Sequence, residues 1–184
     1  MANFAMHITL DSAETEYVQS ILQHKAVKKN TVLLNAGDVC RSVYFVNRGC
    51  LRIYYTDAAG LDHNTSFSPE NWWAVDLASF YGQTPAFYSI SALEDTDFFY
   101  ISFDELETLY ERVPKFERFF RILTQNGFIL YQRRITSNLS KKAEERYRQF
   151  QKKYPYLEQR ISQKHIASYL GITPVFLSML RRQA

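Results

Sequence analysis

The sequence predicts an α+β fold: an antiparallel β-roll of the double-stranded β-helix or jelly-roll type, a long helix beside it, and a small all-α helix-turn-helix unit at the C-terminal end. Three observations carry this. Between Asn30 and Phe103, short runs of period-two apolar residues alternate with Gly, Asn, Asp and Pro, the pattern of an antiparallel β layer. Phe116, Phe120, Leu123, Gly127, Leu130 and Arg134 then step by four, three, four, three and four, which is helical. Between Arg160 and Arg182, two short helical patterns flank one glycine.

In chain order, residues 9–24 put Leu10, Tyr17, Val18, Ile21 and Leu22 on one face, with Ser12 as N-cap and Glu14 and Glu16 in the first turn. A packing helix is expected there, and Lys25, Lys28 and Lys29 read as its solvated end. The runs TVLL, SVYFV, LRIYY, NTSFS and DFFYIS follow as strands, separated by tight-turn sequences such as Asn47-Arg48-Gly49. Val43 to Val46 and Leu51 to Tyr55 form the clearest hairpin pattern. A short helix begins at Asp104, and Pro114 opens the long one, about 114–137. Its stripe of Phe116, Phe120, Leu123, Gly127 and Leu130 has coiled-coil spacing, which predicts a dimerisation helix and a homodimer. Phe119, Ile122, Phe128 and Ile129 widen the apolar surface, so the helix is also expected to cover the roll.

Asn138 to Lys142 is a polar break, read as a hinge between a sensor domain, 1–137, and a DNA-binding domain, 138–184. The latter opens with a helix over 143–153 that turns Tyr147 and Phe150 inward. In its helix pair Ser162 is the N-cap, Ile166, Ala167 and Leu170 face inward, and Gly171 takes the left-handed turn. Thr173 caps the second helix, Pro174 fits its first position, and Phe176, Leu177 and Leu180 supply its buried side. With Gln163 as position one, Ala167 falls at five, Gly171 at nine and Leu177 at fifteen, spacings that suit a helix-turn-helix.

Charge supports that reading. The net charge is +3, yet residues 133–184 hold twelve Lys and Arg against three acids, while residues 1–132 hold ten against sixteen. A basic end of +9 on an acidic body of −6 is suited to the phosphate backbone of double-stranded DNA. Thr173, Ser178, Arg181 and Arg182 are expected to face DNA and Gln163, Lys164 and His165 to meet phosphates, with Lys141, Lys142, Arg146 and Arg148 as further phosphate contacts.

Composition and spacing also exclude function classes. Two cysteines, Cys40 and Cys50, are too few for a disulfide framework or a four-thiolate cluster. The four histidines are scattered, neither cysteine has a paired histidine, and no glycine-rich phosphate loop occurs, so no enzyme, metal site or resident cofactor is expected. No apolar run approaches the ~18 residues of a membrane span and no leader pattern opens the chain, which suggests a cytoplasmic protein.

The segment AGDVCRSVYFVNRGCLRIYY, the roll, the long helix and the C-terminal helix pair together resemble the Crp/Fnr family of bacterial transcription regulators. The resemblance covers nearly the whole chain. It implies a cyclic-nucleotide-binding-like roll, a dimer helix, helix-turn-helix DNA binding, an effector sensed in the roll, and RNA polymerase as a further partner. Two departures qualify it. Where cyclic-nucleotide binders carry Gly-Glu-Leu and then Arg with Ser or Thr, this chain has Val75-Asp76-Leu77 and Ala86-Phe87, so an anion would lack its charge partner and the effector is not expected to be cyclic AMP. Trp72, Trp73, Phe80, Tyr81, Phe87 and Tyr88 crowd that segment instead, suggesting either an apolar effector, unidentified, or a filled interior. In the second helix of the pair, Pro174, Val175 and Met179 stand where the family commonly places charged or amide side chains, and no residues follow Ala184 to form a wing. The alternative is a sensory or protein-interaction module that has lost specific DNA reading.

Overall fold

The computed structural model describes residues 2–183. Helices α1 (Ala2–Ala5) and α2 (Ser12–Ile21) precede strands β1 (Gln23–Val27), β2 (Val32–Leu34), β3 (Ser42–Arg48), β4 (Leu51–Thr56), β5 (Asp62–Ser68) and β6 (Trp73–Ala74). Helix α3 (Leu77–Gly82) separates these from β7 (Ser89–Ala92) and β8 (Thr96–Ser102). The helices α4 (Phe103–Arg112), α5 (Lys115–Ser140), α6 (Ala143–Lys153), α7 (Leu157–Arg160), α8 (Gln163–Leu170) and α9 (Pro174–Gln183) complete the chain.

The roll is two antiparallel four-stranded sheets, ordered β1-β8-β3-β6 and β2-β7-β4-β5. Their facing sides bury Val43, Leu51, Ile53 and Ile90; Val46, three residues after Val43, is also buried, next to an irregularity in the β3–β8 register. The expected hairpin of Val43–Val46 with Leu51–Tyr55 is not formed. β3 pairs with β8 and β6, whereas β4 pairs with β5 and β7, so Asn47-Arg48-Gly49 is a corner between sheets. Gly49 sits there at φ +98°, and a Cβ would lie 2.6 Å from the Thr96 hydroxyl and 2.8 Å from the Asp95 carbonyl. Both the backbone sign and the close approach therefore require glycine. Local turn chemistry could not distinguish a corner from a hairpin because both need the same residues.

The start of the chain differs in two further ways. Asp11 rather than Ser12 is the N-cap of α2: it accepts from Glu14 N at 2.8 Å while Glu14 returns a bond to Asp11 N at 2.9 Å. The lysine segment after it is the edge strand β1, paired with β8 from Gln23↔Tyr100 to Val27↔Thr96. Its side chains from Gln23 to Ala26 are exposed and only Val27 is partly buried, so it shows no alternation, and its charges suit a solvent-facing edge.

Helix α5 is continuous for 26 residues, and its two halves have different surroundings. Phe116, Phe119 and Phe120 are buried against the roll, so Phe116 and Phe120 are not open to a twin as the predicted dimer stripe required. Leu123, Gly127 and Leu130 of that stripe turn toward a cavity described below. The most exposed apolar side chains of α5 are Phe128, Ile135 and Leu139, at 63%, 59% and 84% exposure, and Ile129, Leu130 and Tyr131 are exposed to a lesser extent. The reason is geometric. The stripe marks the helix's most regular apolar face, and the roll of the same chain takes it first.

Helices α6 to α9 pack around Tyr147, Phe150, Leu157, Ile166 and Leu177, and this cluster includes Cys50, Phe67 and Leu93 of the roll. The predicted hinge at 138–142 thus connects two parts that share a core. No helix among the described residues is long and apolar enough to cross a membrane.

Candidate nucleic-acid interface and effector cavity

The turn between α8 and α9 is built as its residues suggest. Gly171 is left-handed at φ +66°, its N–H reaches the Ser168 carbonyl at 3.2 Å, and Ile172 N–H reaches the Ala167 carbonyl at 3.1 Å. Ala167 and Leu177 are buried between the helices. The Thr173 hydroxyl accepts from Phe176 N at 3.1 Å, so its first task is to cap α9.

Helix α8 lies along β5, the open edge of its sheet. The Ser168 hydroxyl donates to the Asp62 carbonyl at 2.6 Å and accepts from Asn64 N at 2.9 Å, and the Asn64 amide donates to the His165 carbonyl at 3.1 Å. Arg134 of α5 donates to the carbonyls of Thr65, Asn64 and Tyr169, joining three elements. Below them Arg160 holds Glu70 at 2.6 and 2.9 Å and Glu94 at 2.5 Å, and this guanidinium keeps the Glu70 carboxyl at about 2. The apolar part of the junction sets the Phe67 ring against Tyr169, Tyr154 and Phe150, with centroids 5.3, 5.8 and 6.2 Å away.

The expected DNA-facing residues fall into two groups. Gln163, Lys164, Thr173 and Arg182 are exposed and Ser178 is half-buried on the outer helix. Four others are engaged within the chain. His165 faces Arg52 and Asn64 of the roll, its Nδ1 3.4 Å from the Arg52 guanidinium, and burial with that neighbouring charge lowers its pKa to about 4. Arg181 pairs with Glu158 at 2.9 Å, and that carboxylate also receives the Tyr147 hydroxyl. Arg146 donates to the carbonyls of Lys141 and Leu170 at 2.7 and 3.1 Å, so it ties the α5–α6 break to the end of α8. Arg148 is bridged to Glu144 one turn earlier at 2.6 Å. Sequence spacing gives the face of a helix but not which carbonyl or carboxylate lies beyond it, so the internal partners of His165, Arg181 and Arg146 have no signal in the sequence, whereas Arg148, in an exposed surface pair, stays open to solvent. Val175, Phe176 and Met179 leave an apolar outer surface on α9, at 72%, 41% and 52% exposure.

The effector segment is also self-satisfied. Asp76, almost fully buried, caps α3 by accepting from Ser79 N at 3.1 Å, and its other oxygen accepts from the N–H groups of Phe87 and Tyr88 at 3.2 and 3.1 Å. Loop donors that would otherwise face an anion are therefore taken by the chain's own carboxylate. Helix α3 and this cap were missed from sequence because a six-residue helix shows little periodicity, although Asp76-Leu77-Ala78-Ser79 carries a capping signal.

Beside that segment is a cavity of about 480 Å3 between the roll and α5. Of the expected pocket residues, Trp72, Trp73, Val75, Asp76, Leu77 and Tyr88 line it. Ala86 is buried behind the loop and Phe87 points outward at 66% exposure, stacked on Tyr55 at 5.7 Å, so neither contributes. Sequence reasoning missed the far wall, which comprises Leu123, Gly127, Leu130 and Arg134 of α5 and Lys153 of α6.

Residues 24–113 match the cyclic nucleotide-binding domain family. The chain is 27% identical over 196 aligned positions to the anaerobic regulatory protein of Pasteurella multocida, covering 98% of this chain and 70% of that protein. Among solved structures it resembles FixK2 from Bradyrhizobium japonicum, with a TM-score of 0.79 at 17% identity over 89% of this chain and 84% of that one. A transcriptional regulator of the Crp/Fnr family from Eubacterium rectale gives a TM-score of 0.72 at 20% identity, over 95% and 83% of the two chains.

Proposed function

We propose that this chain, whose relatives and fold resemble those of Crp/Fnr transcription regulators, binds double-stranded DNA as a homodimer and answers to a small molecule held between the roll and α5. The observation that carries the reading is the α8–α9 pair: the roll takes α8 on one side and leaves α9 outward on a strongly basic end. The second helix of such a pair enters a major groove, and Lys164, Gln163 and Arg182 are free at its margins to meet phosphates. Phe128, Ile135 and Leu139 form an uncovered stripe on the C-terminal half of α5, and a twin helix is the partner that suits it. Cyclic AMP is a poor candidate for the effector because Ala86 supplies no cation and Asp76 occupies the loop's N–H groups.

A salt titration tests the reading. Binding to the protein's own upstream region is expected to fall steeply with salt and to outlast binding to a scrambled duplex of equal length. Arg182→Ala should weaken both and reduce the salt slope by about one, whereas Ser178→Ala should alter preference between sites. Feeble, salt-insensitive binding to both duplexes would favour the alternative of a protein-interaction module, for which the exposed Val175, Phe176 and Met179 on α9 are the supporting observation.

A further inference from the structure

The cavity beside α5 is apolar along most of its wall but not at its end nearest α6. Trp73, Leu77, Phe120, Leu123 and Leu130 line the body, and Arg134 and Lys153 stand together at the other end. The charges there do not cancel. Arg134 gives three of its five N–H groups to main-chain carbonyls, which anchor the guanidinium but leave its charge unneutralised. The Lys153 ammonium lies 5.5 Å from the Trp72 ring centre and 4.8 Å from that of Tyr154, and no carboxylate is within bonding distance of it among the described residues. The only acid on the wall, Asp76, has both oxygens engaged by backbone N–H groups. Burial beside Arg134 lowers the lysine's pKa to about 8, as a cation without a partner requires.

We propose that this cavity binds an apolar monocarboxylate, its hydrocarbon body between the roll and α5 and its carboxylate against Lys153. The inference rests on the reading of the cavity as an effector site, and it names the chemical class of that effector. A volume of about 480 Å3 lies inside the range of roughly 300–1,000 Å3 typical of small-molecule sites. The aromatic and aliphatic wall favours a hydrocarbon body, and Lys153, which has no hydrogen-bond partner among the described residues, favours a single carboxylate; a cyclic nucleotide is also a monoanion, but its base and ribose would bury polar edges against this wall. Lys153 also makes the site a relay. It is the last residue of α6, which packs with the helix pair, so an occupant would join the roll, α5 and the DNA-binding helices through one ion pair. Ligand binding would thereby favour one seating of the helix pair on the roll.

The test uses the full chain with decanoate, decanol and cyclic AMP as probes. Both tryptophans of the sequence, Trp72 and Trp73, line the cavity, so their emission reports occupancy directly. Decanoate is expected to give a saturable change, decanol to bind roughly tenfold more weakly for want of one charge-assisted contact, and cyclic AMP to give none. Lys153→Met should reduce decanoate to the affinity of decanol, and Lys153→Arg should restore the difference. Circular dichroism checks that each variant is folded, and Lys153→Gln stands in if the methionine variant is not. Equal binding of decanoate and decanol, unchanged decanoate binding in Lys153→Met, or no response to either probe would each overturn the proposal. DNA binding is measured separately without carboxylate, so loss of the regulator reading would register there and leave the fluorescence result intact.

Discussion

The molecule has two hydrophobic clusters of similar apolar character and different construction. The first joins the interior of the roll to α4 and the N-terminal half of α5, with Phe80, Leu106, Phe116 and Phe119 buried at its centre. Its rings meet edge to face, Phe4 against Phe116 at 5.1 Å and Phe119 against Phe120 at 5.2 Å, and nothing charged is needed to close it. The second joins the roll to α6–α9 and is bordered by polar links: Arg160 with Glu70 and Glu94, Arg134 with three carbonyls, Ser168 with β5, and His165 beside Arg52. The first cluster is a domain core whose apolar contacts carry no salt or pH dependence of their own. The second is a junction whose strength depends on ionisation, which is useful where a sensor must influence how DNA-binding helices are held.

The largest effect should come from the first cluster. Phe116→Ala removes a fully buried ring and is expected to cost about 3–5 kcal/mol, lowering the thermal midpoint by roughly 10 °C at any salt concentration. A loss that changed markedly with salt would mean that the two clusters do not differ as described.

Arg160→Ala should have a smaller effect and a local one. It leaves Glu70 and Glu94, two neighbouring carboxylates on the roll side of the junction, without their shared cation, at an expected cost of about 1–3 kcal/mol. Amide exchange should speed up in α6–α9 while the paired strands β3 and β8 keep their protection. Arg160→Lys should recover only part of this, since an ammonium cannot bridge two carboxylates with the same fork. Uniform loss of protection over the whole chain would remove the distinction between core and junction.

The same division explains how much could be read from the sequence. Residues that form local structure were legible: Gly171 in the turn, Thr173 as a cap, Ala167 and Leu177 between the helices, and the period-two strands of the roll. Their signals lie within a few neighbours in the chain. The junction was not legible, because its partners are far apart: Ser168 meets Asp62 and Asn64 across more than 100 residues, and Arg160 meets Glu70 across 90. A basic residue near a helix pair therefore read as a DNA contact, although His165, Arg181 and Arg146 are held by groups inside the chain. The cavity between the roll and α5 was half legible for the same reason. Trp72 to Leu77 are contiguous, whereas Lys153 arrives from a different helix.

The smallest predicted effect is the one that isolates the junction's chemistry. His165 Nδ1 faces two donors, the Arg52 guanidinium at 3.4 Å and the Asn64 amide at 3.5 Å, so only the neutral ring, protonated at Nε2, can accept there. A second proton would point at Arg52, with Lys164 and Lys29 adding repulsion and Asp62, which also pairs with Arg52, giving partial relief. Burial of the ring first, and these charges after it, depress its pKa in the folded protein, to about 4 from 6.5. Stability from this group is fully present above about pH 6.5 and is lost as pH falls through that value toward 4, because the unfolded chain takes up the proton first. The ring is only partly buried, so the loss should be about 1 kcal/mol, well under the full linkage. Glu70, held at about 2, contributes its own loss only at lower pH, from 4.5 downward, so the two windows separate. Denaturant melts at pH 7 and pH 5 should show the decline in the wild type and its absence in His165→Asn, whose amide cannot charge. A decline of equal size in both would assign it to other groups and leave the junction no more responsive to pH than the core of the roll.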